Sequence, residues 1–470
     1  MRKSSVKYAL LLFMVMAFCL QGQDSYCQSP ASKPNIVFIL ADDLGWGELG
    51  CYGNTFNETP HLDELAFEGM RFTQAYAAAP VCSPTRASIM TGQYPARVGI
   101  TDFLAPKSTE YLDPGKFTTL NEVLSNAGYH TGIIGKWHLD AHFKNEKGSP
   151  QRFHFDEVIA SETKYIADGD YFYPYDKIGT ITSGKPHEYL TDRESEEAVK
   201  FIQRNKARPF FLYLSYYGVH TKLAAPPALV KKYKQKFDHK YGPGSAEKIY
   251  GPANKRHQAK HVDNPWLAAM LERVDAGAGA IMEALQQAGL ADNTLVVFFS
   301  DNGGAHGVAN NGGLRGHKTW LYEGGIREPL IMRWPGRINP ATVSDVPVCS
   351  IDFYPTFLQV AGAQASAGQV IDGTTLVTLL EKGKSPGRST LFWYYPAETG
   401  GWKNRMAAAI RQGDYKLIHF FVSGRSELFN LKADPDEKTD LSEQMPARTR
   451  SLQKKLRAWE KAVKAKKPVW

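Results

Sequence analysis

Four predominantly apolar runs in this chain lead into polar residues. They cover 35–41, 131–135, 210–217 and 295–300. A strand that is buried on both faces has this continuous apolar pattern, which is typical of parallel sheets covered by helices. The runs therefore predict the central strands of one sheet.

Helical patterns separate the apolar runs. The spacing of their apolar positions predicts helices over 61–70, 120–127, 190–205 and 266–288. Strands that alternate with helices indicate an α/β fold, in which helices flank a large and mostly parallel sheet. Ligands bind to such sheets beyond the carboxyl ends of the strands, so the residues that follow the four runs are candidates for a site.

The sequence changes in character after residue 383. Short strand-like runs at 391–395, 406–411, 415–421 and 426–430 are separated by turns that contain glycine, and a basic helix follows them. We therefore expect a small C-terminal α+β subdomain with an antiparallel sheet.

These patterns give a domain organisation. We place the main α/β domain, which carries the strand-end residues, at 33–383 and the C-terminal subdomain at 384–470. Within the main domain, residues 222–261 are rich in Lys, Gly and Pro without periodicity. They predict a long surface excursion near the site.

Composition and charge exclude two classes of protein. The chain has 470 residues, of which 43% are hydrophobic and 22% charged, so global disorder is excluded. The net charge of +8 equals the excess of nine Lys and Arg over one Glu within 446–470, and the rest of the chain is balanced. No recognition motif accompanies this tail, so we interpret it as a solvated helix face and expect no nucleic-acid partner.

The N-terminus has the pattern of a secretory signal. Basic residues precede an apolar run at 8–20, which is too short to span a bilayer, and polar residues follow it. We place the signal peptide at about residues 1–28 and expect an exported protein, periplasmic or secreted, without a transmembrane segment. Phe18 stands where a lipoprotein has a small residue, which argues against a lipid anchor at Cys19.

Two strand ends carry the ligands of a hard cation. Asp42 and Asp43 follow the first apolar run, and Asp301 and Asn302 follow the last. Carboxylate and amide oxygens are the ligands that Ca²⁺ prefers, and no His or Cys cluster with zinc-ligand spacing accompanies them. Each residue alone is also typical of a turn that follows a strand.

The segment 82–86 (C-S-P-T-R) precedes a helical pattern. Ser83 suits the N-cap and Pro84 the first helical position, so Cys82 is expected at the positive end of the helix dipole, where an anion is favoured. Taken alone, this short motif is also typical of a buried cysteine ahead of a helix.

Six motifs, in this order along the chain, resemble those of the formylglycine-dependent sulfatases. They are 34–45 (P-N-I-V through A-D-D-L-G), 82–92 (C-S-P-T-R through T-G), 128–139 (G-Y-H-T through G-K-W-H-L), 300–303 (S-D-N-G), Lys318 with 323–327 (E-G-G-I-R), and 427–435 (E-L-F-N-L through D-P). The resemblance covers nearly the whole chain after the signal and implies an alkaline-phosphatase-like fold. Asp140 stands where the family more often has glycine, and Lys222 follows His220-Thr221 where proline is common.

The resemblance implies the hydrolysis of sulfate monoesters. Cys82 would be oxidised to 3-oxoalanine (formylglycine) by a maturation enzyme, and one hydroxyl of the hydrated aldehyde would be the nucleophile. One Ca²⁺ would be held by Asp42, Asp43, Asp301, Asn302 and the modified residue 82, and it would lower the pKa of that hydroxyl.

The resemblance also implies roles for five further residues. Arg86 and Lys136 would orient the hydrated aldehyde, and Lys318 would bind the sulfate. His138 would help to deprotonate the second hydroxyl, so that sulfate leaves as the aldehyde re-forms. His220 would protonate the leaving oxygen, with Lys318 as the next candidate for that role. Outside this context, these histidines would be interpreted as structural and the lysines as surface residues.

Two alternative functions stay open. The first is a phosphoester or phosphonate hydrolase of the same superfamily, although Asn302 favours the sulfatase because many phosphodiesterase relatives have His at that position. The second is a secreted glycan-binding protein with an inactive site, although every expected position is filled.

The substrate class follows from export and surface chemistry. The basic excursion at 222–261 and aromatic-rich turns at 393–402 suit the further charges and the ring faces of an extracellular sulfated carbohydrate. We expect a glycan of galactose or N-acetylgalactosamine.

Overall fold

The computed structural model describes residues 33–106, 108–140, 147–161, 170–175, 177–250, 262–397 and 401–469. The expected signal peptide at 1–28 lies outside the described residues, as do Cys19 and Cys27. The chain from Pro34 onward forms one compact unit. Within the described part of the chain, no helix combines the length and the apolar character needed to cross a membrane.

The larger sheet contains nine strands among the described residues. They are β1 (Asn35–Ala41), β2 (Met70–Tyr76), β3 (His130–Gly135), β4 (Glu157–Ile159), β5 (Phe210–Ser215), β6 (Thr294–Ser300), β7 (Arg327–Arg333), β8 (Thr342–Ser344) and β9 (Val348–Cys349). Their order is β4-β3-β5-β1-β6-β7-β2-β8, and β9 also pairs with β2. Only β7 runs antiparallel to its neighbours among these described strands. The prediction of a large, mostly parallel sheet is confirmed.

Helices cover both faces of this sheet. Those described are α1 (Pro60–Phe67), α2 (Cys82–Thr91), α3 (Pro95–Val98), α4 (Leu120–Asn126), α5 (Leu190–Asn205), α6 (Pro227–Tyr241), α7 (Ser245–Tyr250), α8 (Pro265–Gln287), α9 (Glu323–Ile326), α10 (Phe353–Ala361), α11 (Val377–Lys382) and α12 (Pro446–Ala462). Short 3₁₀ turns lie at Gly50–Tyr52, Pro150–Phe153, Ala291–Asn293, Ser350–Asp352 and Lys403–Arg405.

The apolar pattern of β1 shows why the central strands are continuous runs. Val37 and Ile39 pack into the core on one face of the sheet, with α5 and α8. Phe38 belongs to the core on the other face, with α10. Because successive side chains of a strand point to opposite faces, a strand between two cores must be apolar at every position.

One local prediction is wrong and another is incomplete. The helix predicted over 61–70 ends at Phe67, and Met70 begins β2. The chain turns at Gly69, where a Cβ would lie 2.3 Å from the carbonyl oxygen of Met332 on β7, so only glycine allows this close approach. The segment 222–261 contains the helices α6 and α7, and residues 251–261 lie outside the described part.

The helix α6 explains why its periodicity escaped the sequence pattern. Tyr233 and Phe237, four residues apart, are the side chains that it buries, and α6 packs against α8. A stripe of two apolar side chains among lysines is too narrow to give a clear helical signal.

The C-terminal sheet is confirmed. It contains β10 (Thr390–Tyr395), β11 (Ala407–Gln412), β12 (Tyr415–Phe420) and β13 (Ser426–Asn430), all antiparallel and in sequence order. The helix α12 packs against β11 and β12. The aromatic turns expected at 393–402 are only partly turns, because Trp393 and Tyr395 are buried in β10.

Candidate active site

The four predicted strand ends meet at one edge of the large sheet. Strand pairing places Ala41 beside Ser300, and Ser215 beside both Leu40 and Gly135. The polar residues that follow these positions therefore lie at adjoining strand ends, as expected from the topology of a parallel sheet.

Asp42 forms an ion pair with Lys136 and lies close to Arg86. Its Oδ2 lies 2.5 Å from Nζ of Lys136, and its Oδ1 lies 3.8 Å from Nη2 of Arg86. All three side chains are buried. Burial by itself raises the pKa of Asp42, but Lys136 and the other cations outweigh it, so the pKa lies below its usual value and the carboxylate is ionised.

Asp43 is held in the left-handed region, with φ of +61°. Aspartate tolerates this conformation better than most residues do. Its carboxylate accepts from Nζ of Lys318 at 2.7 and 2.8 Å and from Nδ2 of Asn302 at 2.8 Å. Burial raises the pKa of Asp43, but the adjacent Lys318 ammonium and the other cations outweigh this effect, so the pKa lies below its usual value and this carboxylate is ionised as well.

Arg86 binds the carboxylate of Asp301 and residues at the ends of β3 and β5. Its Nε and Nη2 donate to Oδ2 of Asp301 at 2.9 and 2.7 Å. Its Nη1 donates to the Lys136 carbonyl at 2.8 Å and to Oγ of Ser215 at 2.5 Å. Burial and the neighbouring Asp42 raise the pKa of Asp301 to about 6, although Arg86 opposes this shift.

Cys82 is the first residue of α2, and Val81 is the N-cap. The expectation that Ser83 caps the helix is wrong, because Ser83 lies inside the first turn and its Oγ accepts a hydrogen bond from the Leu104 amide at 3.0 Å. Sγ of Cys82 is buried and lies 3.2 Å from Nδ1 of His138. Burial raises the pKa of this thiol.

His138 is fixed in one tautomer. Its Nε2 lies 3.0 Å from the Leu104 carbonyl oxygen, which only accepts, so Nε2 carries the hydrogen. Burial and the nearby Lys136 keep the pKa of His138 well below its usual value. The imidazole is therefore neutral, and its Nδ1 is an acceptor that faces the side chain of residue 82.

His220 is oriented in a similar way. Its Nδ1 donates to the Thr221 carbonyl at 2.5 Å, which leaves Nε2 as an acceptor. Nε2 lies 3.3 Å from Nζ of Lys318 and 3.5 Å from Oδ2 of Asp43. Burial lowers the pKa of His220 to about 4; Asp43 opposes this shift and Lys318 adds to it.

The site fits a divalent metal ion. Oδ1 of Asp42 and Oδ1 of Asn302 are buried and have no hydrogen-bond partner among the described residues. Ligand atoms of Asp42, Asp43 and His220 lie within 4.8 Å of one another. Unpaired buried oxygens are costly unless something binds them, and a cation at this edge would do so.

All the residues predicted for the site lie at this edge of the sheet. The sequence placed His220 at the site but did not predict its contacts with Asp43 and Lys318, nor the contact of Ser215 with Arg86. The signal for Ser215 is visible afterwards, because it is the polar residue that closes the apolar run of β5. No sequence pattern indicates the role of the Leu104 carbonyl, because that role depends only on where the loop that contains Leu104 lies in the folded chain.

Comparisons with known proteins agree with this geometry. A family model described as Sulfatase matches residues 34–363, and a model described as N-sulphoglucosamine sulphohydrolase, C-terminal, matches residues 315–465. A sulfatase of Formosa agariphila is 30% identical over 536 residues, covering 96% of this chain and 93% of the relative. Arylsulfatase A of Homo sapiens is 33% identical over 436 residues, covering 86% of this chain and 78% of the relative.

A solved structure is also similar to this chain. The crystal structure of Ps i-CgsB in complex with k-i-k-neocarrahexaose matches this chain with a TM-score of 0.77 and 30% identity. The match covers 93% of this chain and 95% of the other.

Proposed function

Because the chain belongs to the sulfatase family, a group of sulfuric ester hydrolases, we propose that it removes sulfate from an extracellular glycan, with residue 82 oxidised to formylglycine and one Ca²⁺ bound. The observation that carries this proposal is the position of Cys82. It begins a helix, faces an acceptor nitrogen of His138 at 3.2 Å and adjoins the buried carboxylates.

The state of the Cys82 thiol supports oxidation before catalysis. A cysteine that attacks as a thiolate has a lowered pKa and some exposure to solvent. Cys82 has neither, because it is buried and its pKa is raised. The residue is better suited to be a precursor, converted by a maturation enzyme before or during folding, while the chain is still accessible.

Besides the modified residue 82, four side chains would hold the calcium ion. They are the carboxylates of Asp42, Asp43 and Asp301 and the amide oxygen of Asn302, of which two oxygens have no hydrogen-bond partner among the described residues. A bound Ca²⁺ supplies positive charge that stabilises a deprotonated hydroxyl and a sulfate oxygen. Lys136 and Arg86 hold Asp42 and Asp301 in place for this purpose.

His138 is the base in this proposal. Its Nε2–H is held by the Leu104 carbonyl, so Nδ1 stays unprotonated and directed at residue 82. After the other hydroxyl of the hydrated aldehyde has attacked the sulfur and displaced the sugar oxygen, Nδ1 accepts the proton of the remaining hydroxyl, and the C=O bond of the aldehyde re-forms as the carbon–oxygen bond to sulfate breaks.

His220 and Lys318 together protonate the leaving sugar oxygen in this proposal. The Lys318 ammonium binds a sulfate oxygen, and its 3.3 Å contact with Nε2 of His220 forms a pair that holds a transferable proton. For His220 to act as the acid, its Nε2 first takes a proton from the Lys318 ammonium and then passes it to the bridging sugar oxygen, which leaves as a neutral hydroxyl while Lys318 is reprotonated from solvent.

An oligosaccharide substrate is supported from two directions. The sequence has the signal of an exported protein, and the structural relative Ps i-CgsB was solved with k-i-k-neocarrahexaose. We propose a sulfated galactose or N-acetylgalactosamine unit as the substrate, and a periplasmic or secreted location.

Turnover of matched substrates tests the proposal. Mature enzyme is assayed with 4-nitrophenyl sulfate, with bis(4-nitrophenyl) phosphate and with a panel of defined sulfated mono- and disaccharides. We expect hydrolysis of sulfated sugars and much weaker hydrolysis of the phosphate diester. A preference for the diester would favour the phosphoester hydrolase, and binding of the sugars without any hydrolysis would favour the inactive glycan-binding protein.

A further inference from the structure

A basic cavity is lined by residues that lie close to Lys318 in sequence. Its volume is about 700 Å³, within the range of ligand pockets, and it lies between residues 315–322 and the segments 403–404 and 420–425. Its described lining includes three cationic side chains and three aromatic ones: Arg315, Lys403, Arg425, Trp320, Tyr322 and Phe420. The described lining contains no carboxylate. We refer to this cavity as the outer pocket.

The outer pocket is connected to the reaction centre through the residues around Lys318. Gly316 and Trp320, which line the pocket, lie two residues before and after Lys318. The Thr319 amide donates to the Pro80 carbonyl at 2.8 Å, two residues before Cys82. One short segment therefore carries a residue of the reaction centre and a wall of the pocket.

Arg405 lies where these two regions join. Its Nη1 donates to Oγ1 of Thr319, and its guanidinium lies 5.1 Å from the ring centre of Trp320 and 5.3 Å from that of Trp402. These distances are those of cation–π contacts. Among the described residues, no carboxylate lies within ion-pair distance of Arg405 or of Lys403, which begins the same 3₁₀ turn.

The remaining charges near the pocket are only partly balanced. Glu427 pairs with Arg425 and lies 3.6 Å from Arg315. One carboxylate therefore balances the charges of two arginines. Lys403 and Arg405 add two further positive charges. A cationic surface interleaved with indole rings suits a ligand that combines sugar rings with anionic groups, because aromatic faces pack against rings and arginines bind sulfate or carboxylate.

We propose that the outer pocket, together with Arg405, binds a second anionic group, a sulfate or a carboxylate, on the same glycan whose sulfate ester is cleaved between Cys82 and Lys318. This inference rests on the proposed function and specifies its substrate, because it makes the preferred substrate an oligosaccharide with at least two anionic groups.

Calorimetric titration tests the subsite independently of turnover. The protein is produced without a maturation enzyme, so Cys82 remains a thiol and the ligand is not consumed. A monosulfated and a disulfated galactose disaccharide, neither of which has a carboxylate, are titrated into the parent protein, the K403A variant and a K403A/R405Q double variant. The control is K454A, which removes one exposed positive charge from α12, outside the described lining of the outer pocket.

We expect the parent to bind the disulfated disaccharide about tenfold more tightly than the monosulfated one, since a charged hydrogen bond is worth roughly one such factor. The ratio should fall toward one in the double variant, fall partly in K403A and stay at the parental value in K454A. No preference in the parent, or an equal loss for both ligands, would overturn the subsite. If the ratio behaves as expected but mature enzyme cleaves no sulfate ester, the binding site stands and the proposed activity fails.

Discussion

Nζ of Lys318 lies 3.3 Å from Nε2 of His220, and both groups contact the carboxylate of Asp43. The carbonyl of Thr221 fixes the hydrogen of His220 on Nδ1, so the nitrogen that faces Lys318 is an acceptor. The two residues therefore share a single interaction in which the ammonium is the donor. Assignment of the general acid depends on this pair.

Replacement of His220 by alanine should distinguish an acid from a sulfate ligand. A sugar alkoxide needs a proton in the transition state, whereas nitrophenolate hardly does. General acid catalysis contributes about 10²–10⁴-fold, so kcat on a sugar sulfate should fall by roughly that factor, and on 4-nitrophenyl sulfate by much less. Equal losses on both substrates would show that His220 binds sulfate or metal, and would leave Lys318 as the acid.

Oxidation of Cys82 is tested by peptide mass spectrometry. Co-expression with a formylglycine-generating enzyme should convert the peptide that contains residue 82 from the thiol to the aldehyde, and activity should rise in proportion to the converted fraction. The C82A variant, which cannot be converted, should be inactive yet folded. Full activity in a preparation whose residue 82 is entirely thiol would contradict the proposal.

The metal site is tested by elemental analysis of parent and D301A proteins. We expect one calcium per parent chain, and loss of both calcium and activity in D301A, because three carboxylates and an amide favour a hard cation. Because Asp301 is buried and binds Arg86, D301A should also lower the free energy of unfolding by about 3–5 kcal/mol, and circular dichroism checks that the assayed protein is folded. Stoichiometric zinc without calcium in active enzyme would refute the calcium assignment.

Glu328 should give the fold a pH dependence. This buried carboxyl on β7 has no hydrogen-bond partner among the described residues, and burial, with Asp301 and Asp43, raises its pKa well above the ordinary 4.5. The folded state therefore holds the proton more tightly than the unfolded state does. This stabilisation is complete below about pH 4.5 and is lost as the pH rises toward the folded-state pKa.

The E328Q variant measures this dependence, because glutamine resembles the neutral carboxyl and does not titrate. In chelator, the variant and the parent should have similar Tm values near pH 4.5, and the parent should become the less stable of the two as the pH increases. A difference in Tm that stays constant across the series would show that Glu328 does not titrate in this range.

Lys416 joins the C-terminal sheet to the main domain. It is buried on β12 and contacts Oε1 of Glu323 at 2.8 Å and Oε1 of Glu437 at 3.0 Å. Loss of one partner from a buried ionic network typically costs about 3–5 kcal/mol. K416M should lower the free energy of unfolding by that order in a denaturant titration, with K454A as an unaffected control. A change below 1 kcal/mol would mean that the carboxyls become neutral and tolerate the loss.

The central sheet and the residues gathered at its edge could be predicted from the amino-acid sequence. Apolar runs such as that of β1 specify buried strands because both faces of the sheet must be covered, and parallel strands bring their carboxyl ends together. The motifs around Cys82 and Asp301, and their order along the chain, could likewise be recognised in the sequence alone. The function class could therefore be predicted before any contact was known.

How these residues interact depends on contacts that exist only in the folded chain. The tautomer of His138 depends on the carbonyl of Leu104, and the geometry of Arg86 depends on Ser215, which is 129 positions away in sequence. The helix α6 and the unexpected role of Ser83 have the same origin, because they depend on contacts with distant segments rather than on local pattern. Side-chain partners across the fold are not encoded in periodicity, so the chemistry of each residue became visible only when the chain was folded.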